Sequence, residues 1–299
     1  MPNLKEVRSR ITSVSSTQQI TRAMKMVAAA KLRKAQNRIM DMRPYARKLN
    51  SILENVVAAS EGEGDLSNPY SDVREPNKIL IVVITSDRGL CGAFNSNVIR
   101  HVQRTLIAKN YAAQEAAGNV HLMCIGKRGL DAFKRTRTVI DTFSTVFANK
   151  DMSFDYVRPA AEFAMQGFVE KRYDRVLLVY NEFKNVATQV LQTEQFLPIV
   201  PPAAEQTSTA KSDYIFEPDQ VSITENLIPK SLKIQFYKAV LESNASEHGA
   251  RMTAMDQATE NAGELLKQLR LTYNQTRQAY ITKEILEIVG GAQALSESQ

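Results

Sequence analysis

The stretch LKEVRSRITSVSSTQQITRAMKMVAAAKLRKAQNRIM, residues 4–40, decides much of the fold. Its apolar residues recur at steps of three and four, which places them on one stripe of a helix. The pattern continues to about residue 58, with Pro44 as the only internal proline and no glycine before Gly62. A helix of that length cannot pack inside a compact globule, because globular helices average about a dozen residues. We therefore predict a long N-terminal helix over residues 1–60, which needs a partner helix or another protein.

A polar break interrupts this apolar stripe at Thr17-Gln18-Gln19, where no helix-breaking residue occurs. Two interpretations remain open for it. One is a polar pocket in the seam between two helices, and the other is a simple stutter in the repeat.

A second helical pattern occupies the C-terminal region, residues 222–299. Its clearest stripe runs from Met252 to Tyr280 in alternating steps of three and four, as in a coiled-coil seam. Many positions of this stripe are small or polar, so a partner helix can approach closely. We predict that the N- and C-terminal helices pair as an antiparallel coiled coil. Two independent helices docked on other proteins are the alternative.

Positive charge is concentrated at the N-terminal end of the chain. Residues 1–50 contain twelve Lys or Arg and only two acids, a surplus larger than the net charge of +6 of the whole chain. From Lys230 onward the chain contains eight basic and eight acidic residues, so the second helix has no net charge. A basic helix favours an acidic partner, which can be nucleic acid, anionic lipid or an acidic protein. A merely solvated face is the alternative.

An α/β pattern lies between the two ends, over residues 78–200, and linker-like segments flank it at 61–77 and 201–221. The run Ile79–Ile84 is apolar throughout, which is typical of a strand buried on both faces. The alternation of strands and helices predicts a Rossmann-like domain with a mainly parallel sheet, and the short gap between the last two strands predicts an antiparallel hairpin. The other predicted strands are Val120–Ile125, Val139–Phe143, Arg175–Tyr180 and Ala187–Phe196, and the predicted helices are at about 95–110, 127–134 and 153–172.

Motifs for catalysis or ligand binding are weak. Gly89-x-x-Gly92 follows the first strand and is similar to a phosphate-cradling turn, but it lacks the dinucleotide fingerprint and the Walker lysine. A tight turn capped by Ser or Asn is the favoured interpretation. Cys91 and Cys124 are predicted to be buried thiols, and the three histidines show no metal-ligand spacing. We therefore predict no catalytic residues, no cofactor and no metal, and no apolar run approaches the ~18 residues of a membrane span.

Three segments resemble the gamma subunit of bacterial F-type ATP synthases. The element TSDRGLCGAFN, residues 85–95, is similar to a middle segment of that family. The N-terminal text RITSVSSTQQITRAMKMVAAAKLRKAQ, residues 10–36, resembles the family's start. The C-terminal text ASEHGARMTAMDQATENAGELLKQLRLTYNQTRQAYITKEILEIVGGAQAL, residues 245–295, resembles its end and contains the signature Ile281-Thr282-x-Glu284-x-x-Glu287-x-x-x-Gly291-Ala292. One departure is Ala93-Phe94, where the family often has Gly-Leu, and we expect its effect to be confined to packing.

The resemblance implies a non-catalytic subunit of the central-stalk rotor. In this family the paired terminal helices enter a hexamer of alternating alpha and beta subunits, while the α/β domain contacts the epsilon subunit and the membrane ring of c subunits. Proton flow turns the ring and the rotor, which drives each catalytic beta subunit in turn through states of different nucleotide affinity. The expected location is the cytoplasmic face of the bacterial plasma (inner) membrane, with peripheral attachment through the c ring.

Motif matching with the family and the basic surplus imply a set of contacts with the alpha and beta subunits. Those residues are Arg8, Arg10, Met24, Lys25, Arg251, Gln278, Thr282 and Glu284. Ordinary seam packing is the alternative for Met24, and a solvated face is the alternative for Arg251 and Gln278. We expect Arg251→Ala to reduce rotational coupling while the isolated fold stays intact.

A different class of function is a basic coiled-coil protein that binds nucleic acid or serves as a scaffold. The basic helix lacks the interleaved aromatic residues that stack on bases, so no nucleic acid partner is expected.

Overall fold

A computed structural model describes residues 3–60, 69–148, 152–186, 188–199 and 220–297. The contacts divide the chain into two compact units, one made of Met1–Ala28 with Met252–Gln299 and the other of Ala29–Arg251. Helix α1 (Leu4–Ser60) and helix α6 (Gln220–Glu297) each contribute to both units. Most of the two predicted linkers, residues 61–68 and 201–219, lies outside the described residues.

The first unit is the predicted antiparallel coiled coil of α1 and α6. The Lys25 ammonium lies 2.5 Å from a carboxylate oxygen of Asp256, and the hydroxyl oxygens of Thr21 and Thr259 lie 2.8 Å apart. Residue numbers rise along α1 as they fall along α6, so the two helices run in opposite directions. Buried apolar residues in this unit are Val7, Ala28, Met255, Ala262 and Leu266.

The break at Thr17-Gln18-Gln19 corresponds to a polar layer inside this seam. The Gln18 amide donates to the backbone carbonyl of Thr259 at 3.4 Å, next to the pair formed by Thr259 with Thr21. A Cβ atom at Gly263 would lie 2.9 Å from the Gln18 amide nitrogen, so the glycine leaves room for this side chain. One polar layer among apolar layers favours a single register, since a slip would bury unpaired polar groups.

The second unit contains a five-stranded sheet in the order β3-β2-β1-β4-β5. The central strand β1 pairs in parallel with β2 and β4, β2 pairs in parallel with β3, and β4 and β5 form an antiparallel hairpin. The strands are β1 (Ile79–Ile84), β2 (Val120–Ile125), β3 (Val139–Ile140), β4 (Arg175–Phe183) and β5 (Gln189–Leu197). The mainly parallel sheet and the terminal hairpin are therefore confirmed.

Helices cover both faces of this sheet, so every residue of β1 is fully buried. Those between the strands are α2 (Phe94–His101), α3 (Ala112–Ala116), α4 (Lys127–Phe133) and α5 (Phe154–Val169). Part of α6 also packs on this unit: the rings of Phe236 and Phe196 lie 5.6 Å apart, and Lys233 pairs with Glu162 at 2.7 Å.

Two predicted elements differ locally from the structure. The helix predicted at 95–110 is α-helical only to His101 and continues as a π-helix over Val102–Asn110, which keeps the apolar side chains of that turn packed against the sheet. The strand predicted over Val139–Phe143 stops at Ile140, because Ser144 bonds back to the carbonyl of Asp141 and closes a turn.

Candidate functional site

The loop after β1 is held in shape by side-chain hydrogen bonds. Thr85 Oγ1 accepts the backbone N–H of Gly129 at 2.8 Å, and Asn95 Oδ1 accepts the backbone N–H of Ser86 at 2.9 Å. The residue that precedes α2 is Ala93, whose side chain makes no cap, so the predicted Ser or Asn cap is wrong. Asn95 instead closes the loop from within the first turn of α2.

The side chain of Arg251, on α6, binds backbone carbonyl groups of this loop. Its guanidinium donates to the carbonyl oxygens of Arg88 at 3.0 Å and Gly89 at 3.2 Å, and it pairs with Glu247 at 2.6 Å. A further contact of 3.3 Å joins Arg251 Nη1 to His248 Nδ1. We call Arg251, Glu247, His248 and the two carbonyls the Arg251 clamp. The side chains of Arg251 and Glu247 are only 11% and 8% exposed, so the solvated face considered for Arg251 is wrong.

Burial controls the protonation of the clamp. Desolvation raises the pKa of Glu247, and the nearby Arg251 guanidinium opposes that shift. Desolvation also lowers the pKa of His248 to about 4, with further lowering by the charges of Arg251 and Lys31. His248 is therefore neutral at physiological pH, and its Nδ1 accepts from Arg251 while its Nε2 carries the proton.

The buried histidine predicts a stability that depends on pH. Its folded-state pKa of about 4 lies below the ordinary histidine value of 6.5, so the unfolded chain binds the proton first as pH falls. The stability associated with neutral His248 is fully present above about pH 6.5 and is lost progressively toward about pH 4, by at most about 3 kcal/mol. The raised pKa of Glu247 acts in the opposite direction, because there the folded state binds the proton first.

A comparison of the wild type with His248→Gln isolates the contribution of His248 protonation to stability. Glutamine can still accept a hydrogen bond from Arg251 but does not titrate. Urea denaturation from about pH 7 to about pH 4.5 should show the wild type losing stability relative to this variant. Parallel curves for the two proteins would contradict the assignment.

A cavity of about 590 Å³ opens beside the clamp. Lysine and arginine side chains from three elements line it: Lys31, Lys34 and Arg38 from α1, Arg88 from the loop, and Arg251 from α6. The three α1 residues are spaced to share one helix face. Only two carboxylates, those of Asp87 and Glu247, are also in the lining, so the cavity is strongly basic.

The other predicted contact residues lie in the coiled-coil unit, away from any single cluster. Met24 is partly buried, Lys25 pairs with Asp256, and Arg10 pairs with Glu6 at 2.8 Å. The side chains of Arg8, Gln278, Thr282 and Glu284 are exposed.

The end of α6 presents a set of exposed apolar side chains that lies mostly beyond the stripe predicted from the sequence. Each is 45–67% exposed, and the set is Tyr280, Ile281, Ile285, Leu286, Ile288 and Val289. The register set by the pairs of Lys25 with Asp256 and Thr21 with Thr259 places the start of α1, at Leu4, opposite α6 residues just before Tyr280. α6 therefore continues beyond its partner helix.

Neither a membrane span nor a metal centre occurs in the described parts of the chain. None of the helices there contains a stretch long and apolar enough to cross a membrane. Within the same residue ranges, no three His, Cys, Asp or Glu side chains are grouped as metal ligands.

Known proteins closely resemble this chain. Residues 3–295 match the family model described as ATP synthase. The chain is 58% identical over 299 residues to the ATP synthase gamma chain of Cytophaga hutchinsonii, covering 99% of this chain and 100% of that protein. It is 55% identical over 295 residues to the ATP synthase gamma chain of Flavobacterium psychrophilum, covering 99% of each.

Solved structures show the same fold. A chain in the central stalk and c ring of the Tetrahymena thermophila mitochondrial ATP synthase is 27% identical with a TM-score of 0.56, covering 80% of this chain and 99% of that chain. A rotor chain of the Euglena gracilis mitochondrial ATP synthase is 20% identical with a TM-score of 0.63, covering 93% of this chain and 98% of that chain. The chain therefore belongs to the ATP synthase family, as a gamma subunit of the bacterial type in the central-stalk rotor.

Proposed function

We propose that this chain transmits rotation between the proton-driven membrane ring of c subunits and the alternating catalytic beta subunits, and that it catalyses no reaction itself. The observation that carries the proposal is the antiparallel coiled coil of α1 and α6, beyond which α6 continues as a single helix with exposed apolar side chains. Family membership supports this role over a nucleic-acid-binding or scaffold function.

A shaft that carries torque must resist bending and slippage. Two packed helices are stiffer than one isolated helix, which frays and bends in water. The polar layer of Gln18, Thr21 and Thr259 favours one register between them. Torque applied at one end is then carried along the pair without displacement of one helix against the other.

The exposed apolar end of α6 is the part that we place inside the hexamer of alpha and beta subunits. Such a concentration of exposed large apolar side chains is unusual on a free soluble protein and indicates a contact site. Gln278, Thr282 and Glu284 lie in the same helix segment and are exposed. We therefore assign them, with the apolar side chains, to contacts with these subunits.

The basic side of the shaft suits weak, repeated contacts with acidic surfaces of the surrounding subunits. Arg8 and Arg10 are exposed, and Lys25 is exposed in part, close to the partly buried Met24. Ion pairs between exposed groups contribute only ~0–1 kcal/mol, so they break easily as the shaft turns. The rotor drives the catalytic subunits only if its contacts favour one of their conformations over another.

We assign to the sheet-containing unit the contacts with the epsilon subunit and the c ring. The chain is then a peripheral protein at the cytoplasmic face of the bacterial plasma (inner) membrane. The similarity to a central-stalk chain supports this assignment.

Reconstitution with alpha and beta subunits tests the function. The wild-type chain should co-purify with them and should change the ATPase activity of the complex. The variant Leu286→Ser/Ile288→Ser should bind the hexamer at least about tenfold more weakly, because burial of each such side chain is worth ~1.5–3 kcal/mol.

The control is Val73→Ser, which removes an apolar side chain of comparable exposure, 74%, from the sheet-containing unit. It should bind the hexamer like the wild type. If the wild-type chain fails to co-purify, the proposed function is wrong; if both variants bind equally well, the role of the α6 end is wrong.

A further inference from the structure

We propose that the cavity beside the Arg251 clamp binds a small, multiply charged oxyanion, of the class of inorganic phosphate or pyrophosphate. The inference goes beyond the rotor function and does not depend on it, because the cavity is built entirely within the sheet-containing unit.

The charge of the cavity points to an anion. Its lining contains five Lys or Arg side chains and two carboxylates. The Glu247 carboxylate is paired with Arg251, and Asp87 accepts the backbone N–H of Lys127 at 3.0 Å. Within the described ranges, neither Lys31 nor Arg88 has a carboxylate at ion-pair distance. An oxyanion would supply the missing countercharge.

Neutral side chains in the cavity lining offer hydrogen-bond donors. His248 is neutral and uses Nδ1 to accept from Arg251, so its Nε2–H is the atom left to donate to a ligand. The amide of Asn244 is in the same lining and can donate as well. Phosphate oxygens accept from such N–H groups and from the planar fork of Arg88, and charge-assisted bonds of this kind are about twice as strong as neutral ones.

The size and walls of the cavity suit a compact ligand. A volume of about 590 Å³ falls within the ~300–1,000 Å³ of small-molecule sites. Ala35, Phe147 and Met152 form apolar parts of the wall. Apolar walls lower the local dielectric constant, so each cation attracts a bound anion more strongly than it would in water. The lysine and arginine at the rim, Lys31 and Arg88, are exposed and leave a path for entry.

Calorimetric titration of the full chain with sodium pyrophosphate, at constant ionic strength maintained with sodium chloride, tests the proposal. The wild type should show saturable binding. Lys31→Gln/Arg88→Gln should bind at least about tenfold more weakly, because it removes two charged contacts and retains the backbone carbonyl that Arg251 needs. The control Arg22→Gln/Arg33→Gln removes two exposed charges that do not line the cavity and should stay within about twofold of the wild type.

Two outcomes would overturn the proposal. One is the absence of saturable binding to the wild-type chain; if Lys31→Gln/Arg88→Gln then also co-purifies more weakly with alpha and beta subunits, the cavity receives protein carboxylates instead. The other is an equal loss of affinity in both double variants, which would show general attraction of anions to a basic protein. The rotor function is decided separately, by co-purification of the wild-type chain.

Discussion

Replacement of Arg251 by alanine should destabilise the isolated chain by about 3–5 kcal/mol, the usual effect of removing one partner of a buried ion pair. The change leaves the Glu247 carboxylate buried, with its side chain only 8% exposed, and without its cation. It also removes the donor to the carbonyls of Arg88 and Gly89, which lie at 3.0 and 3.2 Å. The loop that begins at Thr85 would then lose its attachment to α6.

Urea denaturation of the full chain measures this effect, and four further variants complete the test, one of which is Glu247→Ala alone. Arg251→Ala/Glu247→Ala should cost less than the sum of the single changes, because the double variant no longer buries an unpaired charge. Arg251→Lys should recover part of the stability because it keeps the charge, but it should not restore the planar pair of hydrogen bonds to the carbonyls of Arg88 and Gly89. Arg277→Ala, an exposed arginine on the same helix, should stay within about 0.5 kcal/mol of the wild type. A loss below about 1 kcal/mol for Arg251→Ala would contradict the clamp.

The buried contacts of Arg251 argue against the expectation that Arg251→Ala leaves the isolated fold intact. A buried residue that braces the protein's own loop affects function through structure as well as through any contact with other subunits. A loss of rotational coupling in this variant therefore identifies a subunit contact only if another variant with an equal loss of stability keeps its coupling.

The parts of the fold that were predicted well are those fixed by local apolar patterns. The sequence predicts a strand over Ile79–Ile84, the bounds of β1, because a continuous apolar run of this length bounded by polar residues is typical of a buried strand. The bounds of the terminal helices agree with the sequence to within a few residues, because apolar steps of three and four persist along each of them. The π-helix over Val102–Asn110 was missed because no sequence period distinguishes it from an α-helix.

The candidate site was predicted less completely because distant segments build it. Arg251 was singled out, yet two of its acceptors are backbone carbonyls of Arg88 and Gly89, and carbonyls leave no trace in side-chain patterns. Glu247 could have been found, since a Glu four residues before an Arg forms a common helical pair. The histidines show no metal-ligand spacing in the sequence, and no side-chain pattern predicts the hydrogen bond between His248 and Arg251. The basic surplus of α1 predicted an acidic partner but not the position of the cavity.

Gly126→Ala is the substitution with the largest expected effect on stability, more than about 4 kcal/mol. Gly126 has a φ of +99°, and an added Cβ would lie 2.1 Å from the backbone carbonyl oxygen of Thr85. That carbonyl cannot move away easily, because the N–H of Thr85 bonds to Ile125 at 2.8 Å and its hydroxyl accepts from Gly129 at 2.8 Å. The clash would therefore disturb the carboxyl ends of β1 and β2, where the loop to the Arg251 clamp begins.

Two other glycines separate the clash from simpler effects of adding a methyl group. Gly118 also has a positive φ, +73°, but nothing lies within 4 Å of the position that a Cβ atom would take there, so Gly118→Ala should show only backbone strain of about 1–2 kcal/mol. Gly290 is in open space inside α6, and Gly290→Ala should stabilise the helix by up to about 1 kcal/mol. Urea denaturation should rank the three variants in that order. If Gly126→Ala lowers the free energy of unfolding no more than Gly118→Ala does, the contact with Thr85 does not constrain the loop. The segment between the sheet and the Arg251 clamp would then be able to shift and make room for the added methyl group.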